Sequence, residues 1–600
     1  MQLISNFKSY CKMGRCFLPF MSWIGELKNP AVLKADVIAG VTVALVLIPQ
    51  SMAYAQLAGL PPYYGLYASF LPGMIAAIFG SSRQLATGPV AVVSLLTASA
   101  LEPIASSGSE AYLAYAIILA LFVGVFQLML GLLRLGVLVN FLSHPVVIGF
   151  TNAAAIIIAT SQISKIFGVT VEKAAHHYET VWRVMEAAVS QTHYPTLAMG
   201  VLSLAILIVF KKFLPKWPNV LIAVAVATIA SWAFDFAGKG GAVIGTIPEG
   251  LPGFNFPDAT WSEVSGLMGT AIAIGLIGFM EAISIAKAMA ARTQQKLDPN
   301  QELVGQGLSN LVSGMFSGYA ISGSFSRSAV NINAGAITGF SSIVTGVVVG
   351  ITLLWLTPLL YHLPQATLAS VIVMAVVNLV KIEPIKYAWK VQKHDGIVSI
   401  VTFSLTLLLA PHLENGIIVG VLLSLGLFLH RTMRPRIALL SRHPDGTLRD
   451  AKVHDLEVCP HISMIRFDMS LYFANTGYFE DTILEQVAAH PEIRYIIIDA
   501  ESINHIDATG EEMLHSLARA LDESGVEFLF ARTKLQVLAV FIRTGFIQTL
   551  GEDHFHRTRT EALKYAWDRT YCEHEGCTGN CYLARGKVAD KVEVEVPTPS

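Results

Sequence analysis

Apolar residues dominate windows of about twenty positions through most of the first 430 residues, and then the pattern changes. A helix needs about 20 residues to cross about 30 Å of hydrocarbon, so each window predicts a span. The windows lie at 36–58, 63–80, 112–134, 141–163, 195–213, 217–237, 264–291, 302–318, 341–361, 366–380, 395–411 and 414–431. Two further apolar stretches, 88–103 and 323–338, are shorter and begin at glycine-containing turns, TGPVAVVSLL and SGSFSRSAVN. Counted as half-spans, they bring the twelve to fourteen. From about residue 450, HISMIRFDMSLYFAN, IRYIIIDAE and VEFLFAR read as strands. Between them TGYFEDTILEQVAAH, TGEEMLHSLARALDES and LQVLAVFIRTGF read as amphipathic helices. The pattern predicts an α-helical membrane region followed by a small α/β domain.

Charge orients the spans. Lys8, Lys12, Arg15, Lys28 and Lys34 precede the first; Lys211 and Lys212 close the span ending at 213, and Lys216 precedes the one beginning at 217. Arg292 and Lys296, then Lys381, Lys386, Lys390 and Lys393, then Arg431, Arg434 and Arg436 follow later along the chain. If both short segments cross, all these cations share one side, while loops 164–194 and 238–261 carry Glu172, Glu179, Glu186, Glu249 and Asp258. The positive side is the cytoplasmic one, which places both termini there. Seven crossings end outside, so a second set of seven runs with opposite polarity, an inverted repeat. Gly88 follows Pro49 by 39 residues and Gly323 follows Glu281 by 42. Paired broken segments in two halves point to a substrate site near the bilayer midplane, the alternative being that each turn is a re-entrant packing device.

Composition narrows the class further. With 53% hydrophobic and 14% charged residues in 600, the chain is more apolar than a soluble domain can bury. A net charge of −2 says nothing about nucleic acid, and no basic stripe interleaved with aromatics suggests it, so a nucleic-acid binder is set aside. Six cysteines do not form a secreted disulfide framework, and the first thirty residues lack a short apolar core with a cleavage site. The N-terminal segment is expected to be retained.

The half-spans carry the chemistry. A helix that starts inside a membrane presents unpaired N–H groups and about half a positive charge, which an anion satisfies. In the first half, Thr87-Gly88-Pro89 reads as cap, turn and first helical turn, with Val90 and Ala91 leading the helix; in the second, Ser322-Gly323-Ser324 does the same ahead of Phe325, Ser326 and Arg327. Arg327 opposes the helix dipole and costs a few kcal/mol at membrane depth. Either it adds positive potential to an anion site or it pairs with Glu281 and fixes two spans. Glu281, the one carboxylate in IGLIGFMEAISIAKAMA, marks an ion or proton pathway, the alternative being that same structural pair. Gln50 offers an uncharged amide donor, either to an anion or between helices. Tyr54, one turn on, and Phe325 share the expected pocket.

IPQSMAYAQLAGLPPYYGLYASFLPG, TGPVAVVSLL, EAISIAKAMA and SGSFSRSAVN appear in this order. Together they resemble the sulfate permease (SulP) family of anion transporters, which includes plant sulfate transporters, prestin and pendrin, from about Asp36 to about Trp567. The resemblance implies an α-helical membrane transporter of fourteen transmembrane segments in two inverted repeats of seven. A core domain then moves against a gate domain, a small cytosolic α/β STAS domain follows, and the assembly is a homodimer. Carried over by motif, the substrate site uses Gln50, Tyr54, Gly88, Val90, Ala91, Gly323, Ser324, Phe325, Ser326 and Arg327, with Glu281 for proton coupling. Sodium-driven bicarbonate carriers of the family have an aspartate in the eighth segment followed four positions on by a threonine; here Glu281 is followed by Ile285, which counts against a sodium site.

In bacterial relatives of the STAS module a phosphorylated Ser or Thr sits between aspartate and glycine. Asp507-Ala508-Thr509-Gly510 puts Thr509 there, either as a phosphorylation site or as a helix cap. Beyond it Cys572, His574, Cys577 and Cys581 have ligand chemistry for zinc but no standard finger spacing, and a reduced tail is the alternative.

The expected organisation is a cytosolic segment 1–35, a transporter domain 36–432, a STAS domain 450–567 and a cysteine-containing tail 568–600. The expected function is secondary transport, not catalysis: sulfate taken up with protons by alternating access, at the plasma (inner) membrane, with no cofactor. Bicarbonate, chloride or dicarboxylate transport on the same scaffold, or signalling through a STAS-binding regulatory protein, are the rival readings.

Overall fold

The computed structural model describes residues 18–570 except 138–142, 173, 215–216, 249 and 258–264. Two compact units divide near residue 425. In the first, helices α1 (Pro30–Leu57), α2 (Tyr63–Phe79), α3 (Ala91–Leu101), α4 (Glu110–Leu132) and α5 (His144–Phe167) are followed by α6 (His177–Gln191), α7 (Tyr194–Phe213) and α8 (Asn219–Ala233). Then come α9 (Met268–Thr293), α10 (Pro299–Met315), α11 (Phe325–Asn333), α12 (Phe340–Ile351) and α13 (Gln365–Val376). Last are α14 (Glu383–Val391), α15 (Lys393–Leu408) and α16 (Leu413–Met433).

Every apolar segment read from the sequence holds a helix. Among the described residues, seven of them are long and apolar enough to cross a membrane unaided. The span expected at 341–361 is not one regular helix: after α12 the chain widens into a π turn at Thr352–Leu356 and then tightens into a 3-10 turn, Thr357–Leu360, that carries Pro358 at its start, where a missing N–H costs no ladder bond. Two amphipathic helices, α6 and α14, lie in stretches read as loops.

Small residues set the close packing of α4 on α10. A Cβ on Gly124 would stand 2.6 Å from the backbone nitrogen of Leu311, so only glycine permits that approach. Polar groups tie α1 to the entry of α12. The buried carboxylate of Asp36 accepts hydrogen bonds from the backbone N–H of Ile337 and Thr338 and from the Thr338 hydroxyl, at 2.7, 3.1 and 2.5 Å.

The second unit is built on one sheet. Short strands β1 (Ala86–Gly88) and β2 (Ser322–Ser324) belong to the first unit and are described with the site. The large sheet comprises β3 (Ile437–Arg442), β4 (Leu448–Asp450), β5 (Ile462–Phe467), β6 (Tyr495–Asp499), β7 (Glu527–Ala531) and β8 (Phe555–His556), in the order β4-β3-β5-β6-β7-β8. β5 to β8 run parallel, joined by crossovers through α17 (Thr476–Ala489), α18 (Ala508–Glu523) and α19 (Leu535–Thr544), while β3 is antiparallel to both its neighbours. The three strands and three helices expected from periodicity are the centre of this sheet; β3, β4, β8 and α20 (Arg559–Arg569) were not among them, β4 and β8 being only three and two residues long. One core of Phe467, Phe479, Phe530, Phe541 and Phe546 fills the space between the sheet and α17 to α19.

Candidate anion site

β1 and β2 pair antiparallel, with Ala86 opposite Ser324, Thr87 opposite Gly323 and Gly88 opposite Ser322. The two half-helices α3 and α11 therefore leave opposite ends of one three-residue ladder. Backbone polar groups that would otherwise be orphaned among apolar helices are satisfied by each other.

The capping differs from the sequence expectation. Thr87 lies in β1 and does not cap α3; the N-cap position is Val90, in extended conformation and without a side-chain bond to the first turn. The N–H groups that open α3 thus have no side-chain acceptor from that cap. At α11 the cap is Ser324, whose hydroxyl accepts from the Arg327 N–H at 3.5 Å.

Glycine at 323 is a matter of space. A Cβ there would sit 2.8 Å from Leu85 Cδ1 and 3.1 Å from Ala282 Cα on α9. Gly88 faces Arg327: its Cβ would lie 3.4 Å from Nη2, so the guanidinium reaches across to the start of the other half. Ser328, one residue on, accepts from the Ala86 N–H at 2.9 Å.

Arg327 is completely buried (0% exposed), and none of Nε, Nη1 and Nη2 has a hydrogen-bond partner. Among the described residues no ion pair within 4 Å joins it to Glu281, so the structural pair considered from sequence is not formed in this structure. Glu281, half-buried on α9, keeps Oε2 enclosed and unpartnered. Both Glu281 and Tyr54 lie within electrostatic reach of the guanidinium. Gln50 is buried with Oε1 unpartnered, on the same helix as the buried Tyr54. Tyr54, Val90, Ala91 and Tyr319 belong to one apolar cluster, and the Tyr319 hydroxyl meets Ser94 Oγ at 3.0 Å. Phe325 is not an enclosed wall: its ring is 54% exposed and Ser326 beside it is exposed too.

Sequence reasoning missed the polar stripe of α10. Glu302, Gln306, Asn310 and Ser313 recur at helical spacing, all buried. Glu302 accepts from the Ser81 and Ser82 N–H groups at 2.9 Å, Gln306 Nε2 donates to Thr87 Oγ1 at 2.9 Å, and Asn310 Oδ1 accepts from the Ile321 N–H at 2.8 Å. Ser313 Oγ donates to the Tyr319 carbonyl at 2.7 Å. One helix thereby holds the approach to both strands. The signal was present as a run of amides and hydroxyls every third or fourth position inside an apolar window.

In the second unit Asp507, not Thr509, caps α18, accepting from the Gly510 N–H at 2.8 Å, while its other oxygen accepts from the Phe473 N–H at 2.8 Å. The cap role weighed for Thr509 is therefore filled, and Thr509 is exposed in the first turn. Cys572, His574, Cys577 and Cys581 lie outside the described residues, as do Lys8, Lys12, Arg15, Lys216, Glu249 and Asp258.

Two half-helices that meet through a short ladder beside a buried, unpartnered arginine, within a bundle of apolar helices, are the arrangement of a multi-pass membrane transporter. Residues 33–402 match the model of the Sulfate permease family and residues 454–562 that of the STAS domain. The chain belongs to the Sulfate permease family. It is 37% identical over 558 residues to "Sulfate transporter 4.1, chloroplastic" of Arabidopsis thaliana, covering 90% of this chain and 80% of that one. To "High affinity sulfate transporter 2" of Stylosanthes hamata it is 32% identical, covering 91% and 85%. In fold it is similar to SLC26A9, with a TM-score of 0.86 at 23% identity and 95% of each chain covered. It is also similar to the transmembrane domain of the cyanobacterial bicarbonate transporter BicA, with a TM-score of 0.56 at 23% identity, covering 66% of this chain and 97% of that one.

Proposed function

We propose that the protein takes up sulfate together with protons by alternating access. The observation that carries this reading is the Arg327 guanidinium, fully buried with every nitrogen unpartnered beside Gly88. An uncompensated buried cation costs several kcal/mol, and a bound oxyanion offsets that cost with charge-assisted hydrogen bonds. Gln50, the N–H groups opening α3 and the Ser324–Ser326 hydroxyls supply further neutral donors, while Glu281 holds a proton that lowers the net charge moved with a doubly negative anion. The names of relatives more than 30% identical over most of the chain support sulfate.

The reading includes a transporter domain over 36–432 with fourteen crossings in inverted repeats, a STAS domain over 450–567, cytoplasmic termini, a homodimer and residence in the plasma membrane. Thr509, exposed at the start of α18, is the phosphorylation position through which a regulatory protein would act.

Purified protein in liposomes, given radiolabelled sulfate with an imposed proton gradient and an internal pH dye, tests it. Sulfate entry with internal acidification is expected. Bicarbonate uptake independent of the gradient, with no sulfate entry, would replace this reading by the one that the likeness to BicA suggests.

A further inference from the structure

Helix α14 has no buried residue and joins two membrane segments, α13 and α15. Its attachment is firm at both ends. Asn152 of α5 clamps the Lys381 peptide, accepting from its N–H at 2.6 Å and donating to its carbonyl at 3.2 Å. Trp389 rests on α15, where a Cβ on Gly396 would lie 2.4 Å from its Cε3. The helix is therefore folded onto the end of a span, at the level where chain leaves the apolar bundle.

Its surface is divided. At 100° per residue Glu383, Lys386 and Lys390 fall on one narrow face, and Lys381 and Lys393 flank the helix. All four lysines are exposed; Glu383 stands 3.9 Å from Lys386, and Asp395, in the first turn of α15, follows Lys393 by two residues. Beside the basic face Tyr387 and Val391 are 71% and 63% exposed, one turn apart. A cationic face next to exposed aromatic and aliphatic side chains matches the border between anionic headgroups and acyl chains. Nucleic acid or an acidic protein would not explain the adjoining apolar pair at the end of a span.

We propose that Lys381, Lys386, Lys390 and Lys393 on and beside α14 form a binding surface for anionic diacyl phospholipid headgroups, with Tyr387 and Val391 seated in the upper acyl layer. The surface is separate from the Arg327 site and does not depend on which anion is transported.

The full chain in nanodiscs of phosphatidylcholine containing a minor fraction of fluorescent phosphatidylserine provides the test. Enrichment of the labelled lipid around the protein is measured against labelled phosphatidylcholine, together with hydrogen exchange over residues 381–394. The expected result is selective enrichment of phosphatidylserine, falling with added salt and about fivefold for each lysine neutralised in K386Q, K390Q and the double variant. Exchange in 381–394 should slow only when anionic lipid is present. Equal enrichment of the two lipids overturns the proposal, as does enrichment in the double variant equal to that of the unaltered chain. Exchange protection identical in both lipids would assign the face to another protein surface instead. The salt series on the unaltered chain decides the question even if a variant fails to fold, since a salt-independent enrichment also overturns it.

Discussion

Thr87 and Gly323 stand opposite one another in the ladder that joins the two half-helices, and each is held from a different side: Gln306 donates to the Thr87 hydroxyl, while Gly323 lies flat against Ala282 of α9. The spacing of the candidate site therefore depends on two helices, α9 and α10, that bring its strands together.

Gly323→Ala tests the contact with α9. The added methyl meets Leu85 and the Ala282 backbone well inside normal contact, a misfit of about 1–3 kcal/mol. Sulfate uptake should fall severely, with a lower melting temperature of the purified protein. Wild-type uptake would show that β2 has room to move away from α9.

Arg327→Ala removes the buried cation. Anion affinity is expected to drop by about 2 kcal/mol or more, a roughly thirtyfold rise in KM. Arg327→Lys should recover only part of it, because an ammonium lacks the planar fork of donors. Both variants should elute as folded protein, since no hydrogen bond of the guanidinium is lost.

Glu281→Gln keeps the size of the side chain and abolishes its titration. The pH dependence of sulfate uptake should disappear, along with acidification of the liposome interior. Persistence of both would remove Glu281 from proton coupling.

Asn310→Ala leaves the Ile321 N–H and the side-chain Oε1 of Gln127 without their partner among buried groups. A loss of about 1–3 kcal/mol in stability is expected, read from thermal unfolding in detergent. Asn310→Asp retains the acceptor for the Ile321 N–H but not the donor to Gln127, so it should fail to restore stability.

His177 lies at the start of α6, outside the spans, and burial holds its pKa below the ordinary histidine value. Its Nε2 meets Thr160 Oγ1 at 2.8 Å and its backbone N–H donates to the Ala410 carbonyl at 3.1 Å, beside a cavity of 570 Å³ that Lys165, Glu102 and His412 also line. A lowered histidine pKa means that the released state takes up the proton first. The contact is therefore at full strength above about pH 6.5 and weakens as pH falls below that value. Hydrogen exchange in α6 should accelerate on acidification, and His177→Gln should remove that pH dependence.

The apolar windows, the two glycine-led interruptions and the motifs around Pro49, Glu281 and Arg327 were legible because membrane insertion and half-helix starts each demand particular residue types over short, contiguous stretches. The same holds for the central strands and helices of the second unit, where hydrophobic period alone separates β5, β6 and β7 from α17, α18 and α19. What lay beyond local pattern was decided by partners far away in the chain. Ala86 pairs with Ser324, 238 positions later, and the stripe from Glu302 to Ser313 gains meaning only when Ser81, Thr87 and Ile321 arrive beside it. Thr87 looked like a cap by composition, yet the ladder drew it into a strand and left the cap position to Val90. Arg327 could equally have paired with Glu281 by residue type; only the packed structure turned its guanidinium toward Gly88 and left it unpaired. The sequence by itself determined which segments are apolar and where they break, since these are properties of neighbouring side chains. Only the tertiary structure decided which buried polar groups satisfy one another, because in a low-dielectric interior that depends on geometry between elements rather than on residue type.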